Sequence, residues 1–175
     1  TVGWMSVAET ALRGATVMYA VGSRLNIIEV AKADGSTVMI NYREGDIVDQ
    51  IMDKTGGEGV VRVIVAGGGS ETIGKAVSMV KAGGKIGNVN YIGEGTSVEI
   101  PITEWGQGMG HKAINGGLMP GGRLRMEKLA TLVKMNKVDT GKMITHTFHG
   151  LDKIEEALML MKDKPRDLIK PIVLL

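Results

Sequence analysis

The chain alternates between two patterns of apolar and polar positions. Short runs of β-branched or small apolar residues, such as residues 60–66 (VVRVIVA), predict buried strands. Other segments repeat apolar residues every three or four positions, as Val2 to Leu12 does, and this spacing predicts amphipathic helices. Strands alternate with helices of about ten residues up to Tyr91, a pattern typical of βαβ crossovers and a parallel sheet. The predicted fold class is therefore α/β.

The same pattern predicts where the individual elements begin and end. Asp46 and Ser70 are candidate N-caps, and glycines follow several helical segments. After Tyr91 the regular alternation stops, and residues 93–101 are predicted to be irregular or to form a hairpin. The predicted helices are Val2–Leu12, Leu25–Ala33, Asp46–Lys54, Glu71–Lys81, Arg123–Met135 and Leu151–Met161, and the predicted strands are Thr16–Val21, Thr37–Ile40, Val60–Ala66, Lys85–Tyr91, Ile114–Leu118, Met143–Phe148 and Leu168–Leu174.

The turn after the first predicted strand carries the clearest chemical signal. Gly22, Ser23 and Arg24 follow that strand directly. Ligands of open parallel sheets bind outside the carboxyl ends of the strands, and sheets that bind NAD usually place an acidic residue there for the ribose 2′-hydroxyl. This chain has no acidic residue between Glu9 and Glu29. Because a hydroxyl and a guanidinium suit a phosphate dianion, the turn predicts NADP rather than NAD.

Composition narrows the class of protein. The 175 residues include 21 basic and 19 acidic side chains, a near balance that gives no argument for nucleic acid or an anionic membrane. The apolar runs are far shorter than the roughly 18 residues of a membrane span, and the first residues have no basic signal-peptide region. The absence of cysteine excludes a disulfide framework and fits a cytoplasmic protein.

The sequence does not predict a metal site. Its three histidines are His111, His146 and His149, and no cysteine or carboxylate stands at ligand spacing from them. We therefore expect surface or core histidines. A second candidate feature, the run Gly67-Gly68-Gly69 at the end of a predicted strand, fits a tight turn and a close approach to cofactor about equally.

Motifs from almost one end of the chain to the other resemble one enzyme family. They are residues 12–15 (LRGA), 21–24 (VGSR), 40–42 (INY), 66–71 (AGGGSE), 76–81 (AVSMVK), 88–91 (NVNY), 104–106 (EWG), 121–125 (GGRLR) and 161–165 (MKDKP). With these motifs the chain resembles the carboxyl-terminal half of the NADP-dependent secondary-alcohol dehydrogenases, zinc enzymes of the medium-chain dehydrogenase superfamily. The resemblance covers the whole chain but roughly half of a family member.

The resemblance implies a fold, a cofactor and a set of binding residues. Residues 1–118 would form a Rossmann-like doubly wound parallel sheet that binds NADP, and residues 119–175 would return to the catalytic domain. The substrate would be a secondary alcohol or ketone, and the enzyme a homo-oligomer, by resemblance a tetramer. The implied cofactor-binding residues are Val2 and Gly3 in the pyrophosphate turn, Gly22, Ser23, Arg24 and Tyr42 around the 2′-phosphate, Ala66 and Gly68 after the fourth strand of that domain, Val89, Asn90 and Tyr91 at the nicotinamide end, and Lys164 from the tail.

Two parts of a family member are absent from the sequence. Family members hold a catalytic zinc through Cys, His and Asp of an amino-terminal domain, and the first strand of the dinucleotide fold carries a Gly-x-Gly motif. We therefore expect a fragment that is inactive alone. Two other interpretations stay open: a non-catalytic dinucleotide-binding or regulatory module, and a different Rossmann enzyme such as a methyltransferase. Ser23 and Arg24, in place of an acidic residue, count against the latter.

The absent strand has a structural consequence. In the usual strand order, 3-2-1-4-5-6, it is central, so the strands near Thr16–Val21 and Val60–Ala66 would each face an unpaired edge. If they stay apart, we expect a spacing of about two inter-strand distances, near 10 Å, and an isolated chain that aggregates or depends on a partner strand. Direct pairing of the two segments would contradict this interpretation.

Overall fold

Helices and strands alternate as the apolar pattern predicts. The computed structural model describes residues 2–33 and 38–175, and at residues 25–28 it describes the backbone alone. The predicted start of a strand at Thr37 lies outside the described residues. The helices are α1 (Val2–Leu12), α2 (Leu25–Ala33), α3 (Ile47–Lys54), α4 (Glu71–Met79), α5 (Arg123–Lys134) and α6 (Ile154–Asp163), and the strands are β1 (Tyr19–Val21), β2 (Val38–Ile40), β3 (Val60–Val65), β4 (Val80–Asn88), β5 (Ala113–Gly116), β6 (Ile144–His149) and β7 (Lys170–Leu174).

The strand pairs found in the described residues are all parallel. β1 pairs with β2, β4 lies between β3 and β5, and β6 pairs with β7. The predicted α/β fold with a parallel sheet is therefore confirmed. Among the described helices, none has the length and apolar character that crossing a bilayer requires.

β1 and β3 do not pair with each other. In the described part of the chain, β1 has β2 as its partner strand and β3 has β4. A cavity of about 1290 Å³ is lined by residues 16–21, which end with β1, and by residues 60–66, which contain β3. The direct pairing that would contradict the absent-strand interpretation is therefore not found in the described residues. The expected spacing near 10 Å stays a prediction.

Helices cover both faces of the β1–β2 pair. Ala20 and Met39 pack against a buried cluster formed by α1, α2 and Val138. Tyr19 and Val38 pack against a second cluster, formed by β2, α3 and the end of α4. Successive side chains of a strand point to opposite faces of the sheet, which explains how neighbours along β1 and β2 enter different clusters.

Helices α3 and α4 pack together on one side of the cavity and connect the β1–β2 sheet to the β3–β4–β5 sheet. Asp46 is the N-cap of α3, as predicted, and its carboxylate accepts a hydrogen bond from the Val48 N–H at 2.7 Å. The same carboxylate forms an ion pair with Lys75 of α4 at 2.8 Å. The hydrogen bond from Lys75 holds the pKa of Asp46 below its usual value.

Ser70 lies at the predicted N-cap position of α4, but its side chain does not cap the helix. Ser70 has a helical backbone and makes no capping hydrogen bond. Glu71 takes part of that role, because its carboxylate accepts from the Gly69 N–H at 3.2 Å. A carboxylate in the first helical turn also interacts favourably with the helix dipole.

Strand β4 begins and ends earlier than the predicted Lys85–Tyr91. It starts at Val80, directly after α4, and an irregularity follows before Lys85 pairs with Arg62. A Cβ on Gly84 would lie 2.8 Å from the carbonyl oxygen of Val61, so a glycine is needed where β4 approaches β3. The helix pattern over residues 71–81 therefore ends in a strand because tertiary packing prevails over local propensity.

Two glycines, one directly before β3 and one within β4, offer a matched test of packing. Gly59 and Gly83 have nearly identical left-handed backbones, with φ of 75° and 74°. A Cβ on Gly59 would overlap the carbonyl group of Met79, whereas a Cβ on Gly83 would meet nothing within 4 Å. We expect Gly83→Ala to lower the free energy of unfolding by about 1–2 kcal/mol. Gly59→Ala should cost at least about 1 kcal/mol more, because the backbone itself has to move.

Denaturant unfolding of the two variants measures this difference. If both alanine variants lose the same free energy of unfolding, the close approach of Gly59 to Met79 does not constrain the start of β3.

Candidate functional site

Most of the predicted cofactor residues follow the carboxyl ends of parallel strands. Gly22 directly follows β1, and Tyr42 lies two residues after β2. Because neighbouring parallel strands end at the same edge of a sheet, these residues share one side of the molecule. The residues that follow strand ends in this way are Gly22, Ser23 and Arg24 after β1, Tyr42 after β2, Ala66 and Gly68 after β3, and Val89, Asn90 and Tyr91 after β4.

Two hydroxyl groups meet where β1 and β2 end. The Gly22 N–H donates to the Ile40 carbonyl at 2.9 Å, which continues the pairing of the two strands by one residue. The Ser23 hydroxyl then donates to the phenol oxygen of Tyr42 at 2.7 Å. The structure thus brings together two residues that the sequence separates by 19 positions.

Arg24 lies beside this hydroxyl pair and connects it to the tail. Its side chain is half-buried, and Nη1 donates to the backbone carbonyl of Leu168 at 3.2 Å. This contact engages one of the five N–H donors of a guanidinium. A half-buried guanidinium interacts more strongly with an anion than an exposed one does, because water screens it less.

The electrostatic environment of Tyr42 favours negative charge. The hydrogen bond from Ser23 is the main cause that lowers the pKa of Tyr42, and the charges of Arg43 and Arg24 lower it further. Cations that stabilise a phenolate also stabilise a phosphate at the same place. Arg43 was not predicted as a site residue, although a basic residue directly after Tyr42 is a signal that could have identified it.

The ends of β3 and β4 are joined by a side-chain amide. Asn90 Nδ2 donates to the carbonyl of Gly68 at 2.8 Å, and Asn88 Nδ2 donates to the carbonyl of Asn90 at 3.0 Å. Gly68 has a φ of 97°, and a Cβ there would overlap the side chain of Thr72. The contact with Thr72 is therefore enough to require a glycine at this position, and a contact between Gly68 and a cofactor stays a prediction.

The N-terminus of α4 is not suited to an anion. The Glu71 carboxylate lies there, and hydrogen bonds from its own N–H and from the Gly69 N–H hold its pKa below the usual value. This negative charge occupies the amide donors that a phosphate would use at a helix N-terminus. Cationic side chains therefore lie near Ser23 and Tyr42, after β1 and β2, whereas an anionic side chain lies after β3, at the start of α4.

The remaining predicted residues lie at the ends of helices. Val2 and Gly3 form the start of α1, and a Cβ on Gly3 would lie 3.8 Å from the Cβ of Ala66. Helix α1 therefore begins against the end of β3, on the same edge. Lys164 is exposed at the C-cap of α6, where its N–H donates to the Leu160 carbonyl at 3.0 Å. The Arg24–Leu168 contact, rather than Lys164, attaches this tail to the turn.

The described residues do not fit a catalytic zinc site. Among residues 2–33 and 38–175, no group of three His, Cys, Asp or Glu side chains could hold a metal ion. His146 has nearby polar partners, because its Nε2 lies 3.7 Å from Asp167 and its Nδ1 lies 3.0 Å from the Thr145 hydroxyl. A catalytic zinc site requires three protein ligands, so no reaction step is assigned to zinc from these residues.

Known proteins that are similar to this chain in sequence or structure include several dehydrogenases. The family model of the zinc-binding dehydrogenases matches residues 1–135. An NADP-dependent isopropanol dehydrogenase from Entamoeba histolytica is 58% identical over 172 residues, which are 98% of this chain and 47% of that protein. The enzyme of the same description from Clostridium beijerinckii is 58% identical over 174 residues, 99% of this chain and 50% of its own length.

The fold agrees with these sequence comparisons. The solved structure of an alcohol dehydrogenase from Thermus sp. ATN1 superposes with a TM-score of 0.84 at 21% identity, over 99% of this chain and 48% of that one. The chain spans about half the length of the curated relatives it matches. The family model nevertheless covers most of this sequence. The chain therefore belongs to the zinc-binding dehydrogenase family.

Proposed function

We propose that the chain is the NADP-binding part of an oxidoreductase that transfers a hydride between NADP(H) and a secondary alcohol or ketone. The choice of NADP as the cofactor rests on one observation. The Ser23–Tyr42 hydroxyl pair lies beside Arg24 at the carboxyl ends of β1 and β2. No acidic residue follows β1 before Glu29 to hold a free ribose 2′-hydroxyl. The NADP-dependent isopropanol dehydrogenases among the relatives support both the cofactor and the substrate class.

The proposed roles follow from the chemistry of each side chain. Arg24 supplies charge and a planar set of donors to the 2′-phosphate. Ser23 donates its hydroxyl hydrogen to Tyr42, which leaves the phenol O–H of Tyr42 to donate to the phosphate. Asn90 holds the end of β4 against Gly68, where the nicotinamide end of the cofactor is proposed to lie. The bound nicotinamide supplies the hydride chemistry, and this chain holds and orients it.

Other features of the enzyme are proposed mainly on the resemblance. The catalytic zinc is assigned to residues of the other half of a full-length enzyme, because the described residues offer no ligand group. Residues 1–118 are proposed as the NADP-binding domain and residues 119–175 as the segment that returns to the catalytic domain. A homotetrameric assembly and a cytoplasmic location are further proposals.

Substitution of Arg24 tests the choice of cofactor. In the full-length enzyme, Arg24→Ala should weaken NADP binding by about 10- to 100-fold, because a charge-assisted contact is worth about 1.5–3 kcal/mol. NAD binding should change by less than about twofold, since NAD has no 2′-phosphate for the guanidinium to contact. Equilibrium titration of both cofactors measures the two effects.

Arg13→Ala is the matched control for this experiment. Arg13 is exposed at the end of α1 and pairs with Glu9 at 2.7 Å, so its loss should leave both affinities unchanged. Equal losses of NADP and NAD affinity in Arg24→Ala would contradict the assignment of the 2′-phosphate pocket.

The lowered pKa of Tyr42 predicts a pH dependence. The neutral phenol donates to a phosphate, whereas the phenolate repels it, so NADP affinity should fall as pH rises through this pKa. The fall should begin below the ordinary tyrosine value of about 10. NAD affinity should not follow this titration. Tyr42→Phe should remove the dependence, and Ser23→Ala should move it to higher pH, since the Ser23 hydrogen bond is the main cause of the lowered pKa.

Titration of NADP binding across the alkaline range provides the measurement. If Tyr42→Phe keeps the same alkaline loss as the parent protein, another group causes it.

The 175-residue chain is predicted to be inactive and free of stoichiometric zinc. The described residues offer no group of three ligands, and a catalytic zinc needs that number. The test combines the intact mass of the purified chain, its metal content, and oxidation of 2-propanol with NADP. Turnover by a chain of verified mass would show that the catalytic machinery lies within these residues.

A further inference from the structure

One peptide group of the tail, between Leu168 and Ile169, connects the candidate cofactor site to strand β6. Its C=O accepts the hydrogen bond from Arg24 Nη1 at 3.2 Å. Its N–H donates to the hydroxyl oxygen of Thr145 at 3.0 Å. The C=O and N–H of a trans peptide are fixed in one plane and point in opposite directions. This peptide group therefore lies between the guanidinium of Arg24 and the hydroxyl of Thr145.

The surrounding fold holds this peptide group in place. The side chain of Leu168 is 5% exposed, and the Leu168 N–H donates to the carbonyl of Pro165 at 3.1 Å. Strand β7 begins directly after Ile169 and pairs with β6. A buried side chain precedes the peptide and a paired strand follows it, so its carbonyl has a defined direction when Arg24 contacts it.

A bulge in β6 explains why Thr145 contacts the chain before β7. Ile144 pairs with Lys170, and the next pair along the strands is His146 with Pro171. Thr145 is therefore an extra residue of β6 between these two pairs. Proline has no N–H to donate to a neighbouring strand, and bulges are among the places where a sheet accommodates one. Because a bulge redirects a side chain, the Thr145 hydroxyl is placed to accept a backbone N–H.

A neighbouring histidine occupies the other side of the Thr145 hydroxyl. His146 Nδ1 lies 3.0 Å from the hydroxyl oxygen, and His146 Nε2 lies 3.7 Å from the carboxylate of Asp167. We assign the ring hydrogen of the neutral histidine to Nε2, because the nearby carboxylate favours it there. Nδ1 is then an acceptor, so the Thr145 hydroxyl donates to His146 and accepts from the Ile169 N–H. Both roles of the hydroxyl are used.

An arginine that is oriented before the ligand arrives binds an anion more tightly. A long side chain that becomes ordered only on binding lowers the affinity by the entropy it loses. The Leu168 carbonyl engages one N–H group of Arg24 and leaves the others for a phosphate. The hydrogen bond from the Ile169 N–H to Thr145 also polarises the peptide, which makes its carbonyl a stronger acceptor.

We propose that Thr145 is a positioning residue that increases the preference for NADP over NAD. It acts through the Leu168–Ile169 peptide, which orients Arg24 toward the 2′-phosphate. The inference rests on the proposed function, because that function assigns Arg24 to this phosphate. Residues 119–175 were predicted to return to the catalytic domain, and this role gives them a part in cofactor specificity as well.

Thr145→Val tests the proposal in the full-length enzyme. Valine keeps the shape and the strand propensity of threonine but removes the hydroxyl. NADP binding should weaken by about three- to tenfold, because Arg24 is then less well ordered before binding. Water can replace an exposed hydroxyl at the Ile169 N–H, so the loss should be smaller than in Arg24→Ala. NAD binding should change by less than about twofold, since NAD lacks the 2′-phosphate.

Two further threonine variants are the controls. Thr145→Ser keeps the hydroxyl and should retain NADP affinity within about twofold of the parent enzyme. Thr147→Val makes the same change at another exposed position of β6, two residues away, and should alter neither affinity. Equilibrium titration of NADP and NAD measures all of these effects, and unchanged NAD affinity shows that a variant is folded.

A double-mutant cycle distinguishes an effect through Arg24 from a general structural effect. If Thr145 acts through the guanidinium, Thr145→Val should cause less than about a further twofold loss of NADP affinity in an Arg24→Ala background. If Thr145 only supports the fold, the loss should be the same with and without Arg24.

Several outcomes would overturn the proposal while leaving the proposed function intact. In an enzyme that prefers NADP, they are an unchanged preference in Thr145→Val, equal losses of NADP and NAD affinity, a Thr145→Ser variant as weak as Thr145→Val, and an undiminished effect in the Arg24→Ala background. A parent enzyme that binds NADP and NAD equally would instead contradict the proposed function, and this inference with it.

Discussion

The need of β1 and β3 for hydrogen-bond partners on the sides that face the cavity is the constraint on which the rest of the structure depends. Each strand is paired on one side, and between them lies a cavity with apolar walls. The surrounding helices keep the two strands in place. Helix α1 packs with α2 and against β3, and the Asp46–Lys75 ion pair connects α3 to α4. An exposed ion pair contributes about 1 kcal/mol at most, so the two buried clusters that border the cavity supply most of this support.

Strands β1 and β3 also determine the geometry of the candidate cofactor site. Gly22 to Arg24 continue β1, and Ala66 to Gly68 continue β3, so the width of the cavity sets the distance between the two halves of the site. Charge is distributed unevenly across the candidate cofactor site. Arg24 and Arg43 lie near Tyr42 at one end, and the Glu71 carboxylate occupies the start of α4 at the other. A phosphate is therefore favoured beside β1 and disfavoured beside α4.

Much of this arrangement follows from the sequence because local signals agree with tertiary packing. Helix α2 has its predicted bounds, Leu25–Ala33, and Asp46 caps α3 as predicted, since both depend on neighbouring residues. The early start of β4 was not predictable, because it depends on a close approach of Gly84 to β3. The Arg24–Leu168 contact joins residues 144 positions apart, and no local pattern encodes such a pair. The motif around Ser23 was recognisable from the sequence. The role of Arg43 was recognised from the structure, because its charge lowers the pKa of Tyr42.

The central claim is that the end of β1 recognises a 2′-phosphate. The most direct measurement compares the binding of adenosine 2′,5′-bisphosphate and adenosine 5′-monophosphate, which differ by that group alone, with backbone amide shifts recorded by NMR. We expect the bisphosphate to bind at least about tenfold more tightly, because it adds a charge-assisted contact, and to shift the amides of Gly22, Ser23 and Tyr42. Equal affinity of the two nucleotides, or shifts confined to the Gly67–Gly69 turn, would contradict it.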